Sequence, residues 1–376
     1  MTGNSTSSDL LSFLLRRRAI GYWLQLGLVF LYAGFCIVVF VLWVNPSLVG
    51  DSDQRIAADS GTYIYMADAL HRGNPEPWVY GALASFPNTL WTPVFLAYVI
   101  QNTWWMAALN IFVFGLSIGL FRRVSDIRVG LFASLLLLNP TTTVSLLTVN
   151  KEIIDMLAIA LFCFAQKRNL KWLIGVALIL ALLNRYEVCA AMLLLLFGLS
   201  RWNPLRRHRW WTLVAFLTLS SALLPVLASS ALERRFEEAS AAGLVAYLDT
   251  LEMHYLFVVA AIPKILEGMF GELLNVSSWA RYSTNDLANS YILFFNNFAF
   301  LVVLFILYWK RQLRIQSDSM FFALLGMVLM SISLVIQPRY FYFCYVLFCF
   351  QAAQKSYGRS FSAFSYGRIE EVHFAD

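Results

Sequence analysis

The chain has 376 residues, of which 60% are hydrophobic, 16% aromatic and only 13% charged. Soluble domains carry about a quarter charged residues, so this composition excludes an ordinary soluble domain and predicts an all-α, polytopic membrane protein. The formal net charge of +6 is not a nucleic-acid footprint, because the basic residues fall in short clusters between apolar runs, the pattern that orients membrane proteins.

In chain order, a polar start runs into an apolar stretch at 22–44. That stretch is too long for the core of a signal peptide and reads as a retained first span. Basic clusters follow at Arg16–Arg18, Arg122–Arg128, Lys167–Lys171, Arg201–Arg209 and Lys310–Arg314, with a sparser group of Lys355, Arg359 and Arg368. Placing these in the cytoplasm requires an even number of crossings between neighbours, which gives about ten spans with both termini inside. The spans read as 22–44, 100–121, 129–148, 152–166, 172–184, 187–200, 211–230, 290–308, 319–337 and 340–354. Residues 1–376 form a single membrane domain, with cytoplasmic tails at 1–21 and 355–376 and outer loops at 51–99 and 231–289. The second outer loop carries amphipathic or re-entrant pieces such as "MHYLFVVAAIPKILEGMFGELL".

The stretch Trp172 to Ser200 has basic clusters at both ends, so it reads as a hairpin with Asn184, Arg185, Tyr186 and Glu187 at its tip. Each arm has about 13 residues and reaches roughly 20 Å, against a hydrocarbon core about 30 Å thick. The tip therefore lies beneath the outer surface. Lys151 and Glu152 start a similarly short descending segment, and Arg339 starts another after the break at Pro338. Charges at such depth cost a few kcal/mol each unless they face water or one another. Several at one level predict a sunken pocket open to the outside. The structural alternative is a set of ion pairs, Arg185–Glu187 and Lys151–Asp155, the latter at i,i+4 spacing.

In the first outer loop, Tyr63, Met66, Ala67 and Leu70 have helical spacing, with Gly73 and Pro75 to end the helix. Asp59 begins it, either as an N-cap or as a reactive carboxylate. The five cysteines sit in apolar segments and read as buried small hydrophobes, and the four histidines are scattered. No Walker loop or dinucleotide fingerprint occurs.

An acidic residue soon after the first span, then Tyr63, Ala67, Leu70 and Gly73, resembles the first external loop of the GT-C glycosyltransferase superfamily. The segment "LNPTTTVSLLTVNKEIIDMLAIALF" is similar to the "NP…S…KE" segment of surface-polysaccharide membrane proteins, some of them O-antigen polymerases. "QPRYFYFCYVLF" is similar to the "RY…P" entry to a late GT-C span, without the later proline. The usual Asp-Glu doublet of the loop is Asp59-Ser60 here.

The resemblance implies an inverting enzyme of the bacterial inner membrane that uses a polyprenyl-phosphate-linked sugar on the periplasmic side. Its acceptor would be a glycan or lipid, and other polysaccharide-assembly proteins are expected partners. Asp59 is then the expected base, with Glu152 and Glu187 as runners-up. Lys151, Arg185 and Arg339 are candidates for the lipid phosphate, with Arg281 weaker, because cationic donors suit a leaving phosphate. Tyr63, Tyr186, Tyr340 and Asn150 are candidates for sugar contact. A divalent cation, Mg2+ or Mn2+, held by Asp51, Asp53 or Asp59 stays an option. A block polymerase, a flippase for a lipid-linked glycan and a non-catalytic subunit are the rival readings.

Overall fold

Helices make up all the regular structure in the computed structural model, which describes residues 58–73, 75–85, 87–222, 254–274, 287–332 and 338–355, with positions 34 and 251. Among these residues no β-strand occurs; a single antiparallel bridge joins Ile127 to Gln354. Of the predicted first span only Gly34 is described, and both tails (apart from Lys355), Asp51, Asp53, Arg281 and most of 231–289 lie outside the described residues.

Three helices form where the sequence predicts the first outer loop: α1 (Ala58–His71), α2 (Pro77–Ser85) and α3 (Pro87–Val99). Gly73 follows α1 at φ 73°, a left-handed conformation that glycine adopts without a Cβ clash. Pro77 and Pro87 open the next two helices, where a missing N–H costs nothing. Tyr63, Met66 and Ala67 are buried, as their spacing predicts. They pack on Val79, Leu83, Val94 and Ala97, closed by Met106 and Val149. The Thr92 hydroxyl donates to Leu183 O at 2.5 Å, fastening α3 to a neighbouring helix tip.

The next helix, α4 (Thr103–Val124), is capped by Asn102, whose side chain accepts from Trp104 N and Trp105 N at 2.8 and 3.3 Å. Among the described residues it is the one helix long and apolar enough to cross a membrane by itself. The predicted span 129–148 is instead two helices, α5 (Val129–Leu138) and α6 (Pro140–Leu147), at 89° to each other. The cause is local. Asn139 accepts from Thr141 N at 2.9 Å, and Pro140 removes the donor that would continue α5.

The remaining elements are α7 (Glu152–Arg168), α8 (Lys171–Asn184), α9 (Tyr186–Leu199), a helical run at 209–222, α10 (Phe257–Leu274), α11 (Leu287–Trp309), α12 (Asp318–Ser331), a 3-10 turn (Pro338–Phe341) and α13 (Tyr342–Ala353). Seven of the predicted segments (100–121, 152–166, 172–184, 187–200, 290–308, 319–337 and 340–354) coincide with helices to within a few residues, apart from 333–337, which lie outside the described set. Buried along its whole length, α13 is the axis of the core. Glycines let it approach its neighbours. A Cβ on Gly326 would meet the Phe343 ring at 2.2 Å, and one on Gly268 would meet the Phe341 ring at 2.2 Å.

The basic clusters gather at one end. Arg128 N donates to Ala353 O at 2.9 Å, Lys310 Nζ donates to Ala352 O at 2.6 Å, and Lys355 Nζ lies 2.9 Å from Asp126 Oδ1. Arg209 forms an ion pair with Asp318 and donates to Gln316 O at 2.7 Å. Trp172, Trp202, Trp210, Trp211 and Trp309 are exposed beside these clusters, while Trp78, Trp91, Trp104 and Trp105 are exposed on α2, α3 and α4. Between the two sets the outward faces are apolar, as with Val176, Ile179, Leu182 and Leu183 on α8 and Phe298, Leu301 and Phe305 on α11.

Candidate functional site

At the end opposite the basic clusters, three chain breaks meet: the turn before α7, the single residue Arg185 between α8 and α9, and the 3-10 turn before α13. Arg185 is extended (φ −152°, ψ 113°), so one residue both ends α8 and reverses the chain. Asn184 Nδ2 donates to Lys151 O at 2.9 Å and to Asp155 Oδ1 at 2.6 Å. Both partners are acceptors, which fixes the orientation of the amide.

Arg185 closes the gap between the helices. Its Nη2 donates to Glu152 Oε1 at 2.8 Å, and its Nε lies 3.4 Å from Asp155 Oδ2. The Ser145 hydroxyl donates to Glu152 Oε2 at 3.3 Å. Glu152 and Asp155 are each 1% exposed and Arg185 6%. These ion pairs run across the helix pair, where the sequence suggests Arg185–Glu187 and Lys151–Asp155. The difference has a geometric reason. Glu152 and Asp155 are three apart, so they share the face of α7 that packs on the α8–α9 break. Arg185 is therefore held between two carboxylates inside the protein rather than presented as an open cation, and Glu152 accepts through both oxygens.

Two aromatic rings flank the cluster. Lys151 Nζ lies 5.6 Å from the Tyr63 ring centroid, and Arg185 Cζ lies 5.6 Å from that of Tyr340. Cations near ring faces are attracted by the ring quadrupole. Helix α1 and the turn that carries Arg339 thus both close on the same place. Asp59 is the second residue of α1 and precedes Tyr63 by one turn, hence on the same face of the helix. The side chains of Asp59 and Arg339 lie outside the described set. Tyr186 is exposed and Glu187 half-buried. Asn150 Oδ1 accepts from Lys151 N at 2.9 Å.

Electrostatically, α7, α9 and α13 all begin here, and none of their N-caps (Lys151, Arg185 and Phe341) makes a side-chain cap bond. Helix N-termini expose unmatched N–H groups and the positive end of the helix dipole. Glu152, Asp155 and Glu187, in the first turns of α7 and α9, offset part of that potential.

Beneath the cluster, α6 is pinned from three sides. Asn110 Nδ2 donates to Ser145 O and Thr148 O at 3.0 and 2.8 Å, Asn296 Nδ2 donates to Thr141 Oγ1 at 2.6 Å, and the Thr142 and Tyr342 hydroxyls are 3.0 Å apart. None of Asn110, Ser145, Asn296 and Tyr342 is a sequence candidate, nor is Asn184 a named ligand. Asn139-Pro140 followed by three threonines was the available signal for α6. Two acceptors in the site stay unmatched: Asn184 Oδ1 and Glu187 Oε2 are buried without a hydrogen-bond partner. A buried polar atom left so costs about 1–3 kcal/mol.

Among the described residues no group of three or more His, Cys, Asp or Glu is placed to hold a metal ion. No protein family, characterised protein or solved structure matches the chain. The site's own geometry is therefore what carries a functional reading.

Proposed function

We propose that the protein is a polytopic glycosyltransferase of the bacterial inner membrane, moving a sugar from a polyprenyl-phosphate donor to a glycan or lipid acceptor on the periplasmic side. The membrane part is supported by the exposed surface. Apolar outward faces bounded by two sets of exposed tryptophans, one beside the basic clusters, fit an aromatic belt at each interface and a cytoplasmic basic end. Water would leave such faces as one large exposed patch. At 17 and 14 residues, α7 and α8 reach about 26 and 21 Å, so charges at their far ends sit below the outer surface of a core about 30 Å thick.

One observation carries the chemical part: Tyr63 from the outer-loop helix, Lys151, Arg185 and Tyr340 converge where three uncapped helices begin. A phosphate suits such helix ends. In the proposed reaction Asp59 takes the proton of the acceptor hydroxyl, whose oxygen attacks the anomeric carbon from the face opposite the phosphate. The bond from that carbon to the phosphate oxygen breaks, and the electron pair leaves on the carrier phosphate. Lys151, Arg339 and the helix ends hold the leaving anion. Arg185, neutralised by Glu152 and Asp155, keeps these parts in register. A block polymerase performs the same chemistry with a larger donor. A flippase is less well supported, because α6 turns 89° away from α5 and Phe121, Phe132 and Phe350 pack together beside the basic end.

The test is transfer of radiolabelled sugar from short-chain polyprenyl-phosphate donors to a glycan acceptor by the full chain in proteoliposomes. Transfer that Asp59→Asn abolishes supports the reading. Movement of intact lipid-linked glycan between leaflets without transfer would replace it.

A further inference from the structure

Asn184 and Glu187 stand on either side of Arg185, and each carries a buried acceptor with no partner. The orientation of Asn184 is not open to choice, since both hydrogens of its amide are committed to Lys151 O and Asp155 Oδ1. Its Oδ1 must therefore be the unmatched atom. Glu187 is half-buried as a residue while Oε2 is screened from solvent. The neighbouring carboxylates differ, because Glu152 and Asp155 have partners at every oxygen.

We propose that Asn184 Oδ1 and Glu187 Oε2 form a subsite that accepts hydrogen bonds from the ring hydroxyls of the carrier-borne sugar. Each acceptor calls for a donor, and each stands within two residues of the guanidinium that orders the site. A phosphate cannot fill this role, because it brings only acceptors and negative charge to Glu187. A sugar ring brings several hydroxyl donors at fixed spacing. The subsite would thus separate the work: helix ends and lysine for the phosphate, the acceptors beside Arg185 for the sugar. This inference rests on the glycosyltransferase reading and adds which residues discriminate the sugar.

The experiment is a binding titration of the full chain in nanodiscs with three probes sharing one short prenyl chain: the bare phosphate, a hexose phosphodiester and a cyclohexyl phosphodiester of the same shape without hydroxyls. The hexose probe is expected to bind about tenfold more tightly than the other two. Glu187→Gln replaces one acceptor by a donor, and Glu187→Asp withdraws the carboxylate by one methylene. Both are expected to lose the hexose increment, read as the ratio of hexose to bare-phosphate affinity. Bare phosphate should bind Glu187→Asp as before and Glu187→Gln at least as tightly, since a like charge is removed. Cyclohexyl and hexose probes binding equally to the unaltered protein would overturn the subsite while leaving the phosphate site standing, and this arm needs no variant to fold. A hexose increment unchanged in both variants would overturn it too. Absence of binding by all three probes would instead remove the glycosyltransferase reading and the subsite with it. A free hexose that competes as well as the phosphodiester would assign the subsite to the acceptor glycan and overturn its assignment to the donor.

Discussion

Arg185 lies 2.8 Å from Glu152 across the gap between α9 and α7, and the same guanidinium reaches Asp155 at 3.4 Å. One cation thus serves two carboxylates, all three nearly without solvent, at the one residue where α8 turns into α9.

Removing that cation leaves two buried carboxylates unmatched. Arg185→Ala is expected to lower stability by about 3–5 kcal/mol, as when one partner of a buried pair is deleted, without preventing membrane insertion. Adding Glu152→Gln and Asp155→Asn to Arg185→Met is expected to recover much of the loss. Unfolding of the purified protein in mixed micelles measures both. A triple variant no more stable than Arg185→Ala would separate the three side chains energetically.

Asp59 is expected to matter for turnover and not for folding. Asp59 lies inside the first turn of α1 and is not its N-cap. Losing its charge there costs under about 1 kcal/mol of helix-dipole interaction, so Asp59→Asn should keep expression and nearly keep melting behaviour. Loss of a general base lowers rates by about 10²–10⁴-fold. Sugar transfer in proteoliposomes reads the rate. An unchanged rate would assign the base elsewhere.

Gly268 lets α10 approach the 3-10 turn, with 2.2 Å between its notional Cβ and the Phe341 ring. Gly268→Ala is expected to cost about 1–3 kcal/mol through overpacking. Phe341→Leu in the same chain should return part of it, a coupling that a double-mutant cycle measures. Independent, additive effects would rule out the contact.

The membrane orientation is checked by thiol labelling. Cys163, Cys189, Cys344 and Cys349 are all buried, so their background is expected to be low. Trp105→Cys, at a site 71% exposed, should react with a membrane-impermeant reagent added outside. Trp202→Cys, at a site 76% exposed, should react only after the cells are opened. The reverse order would invert the topology.

Much of the helical layout was legible because apolar runs and basic clusters alternate. The stretches predicted at 152–166 and 172–184 became Glu152–Arg168 and Lys171–Asn184. The 129–148 segment failed because its hydropathy hides Asn139-Pro140, a cap and a helix start in the middle of an apolar run. Between 51 and 99, α1 was legible through its spacing, but α2 and α3 are apolar on their exposed faces too, at Trp78, Tyr80, Trp91 and Phe95, and so carry little periodicity. In the site, the sequence named Tyr63, Lys151, Arg185 and Tyr340, and the structure brings them together. The partners of Arg185 were not legible. They are 33 and 30 residues away, and local spacing favours pairs within one helix. The importance of Asn184 was hidden for the same reason, since its two acceptors both belong to the segment that starts α7.

The hydrogen bond from Thr92 to Leu183 O has a thermodynamic consequence. It holds the tip of α8 from outside, while Asn184 anchors the next residue to α7 from within. A ligand arriving at Arg185 meets a platform that is already rigid, so little of its affinity is lost to ordering the protein. Thr92→Val, far along the chain from any charged group of the cluster, should therefore weaken binding chiefly by letting that platform drift.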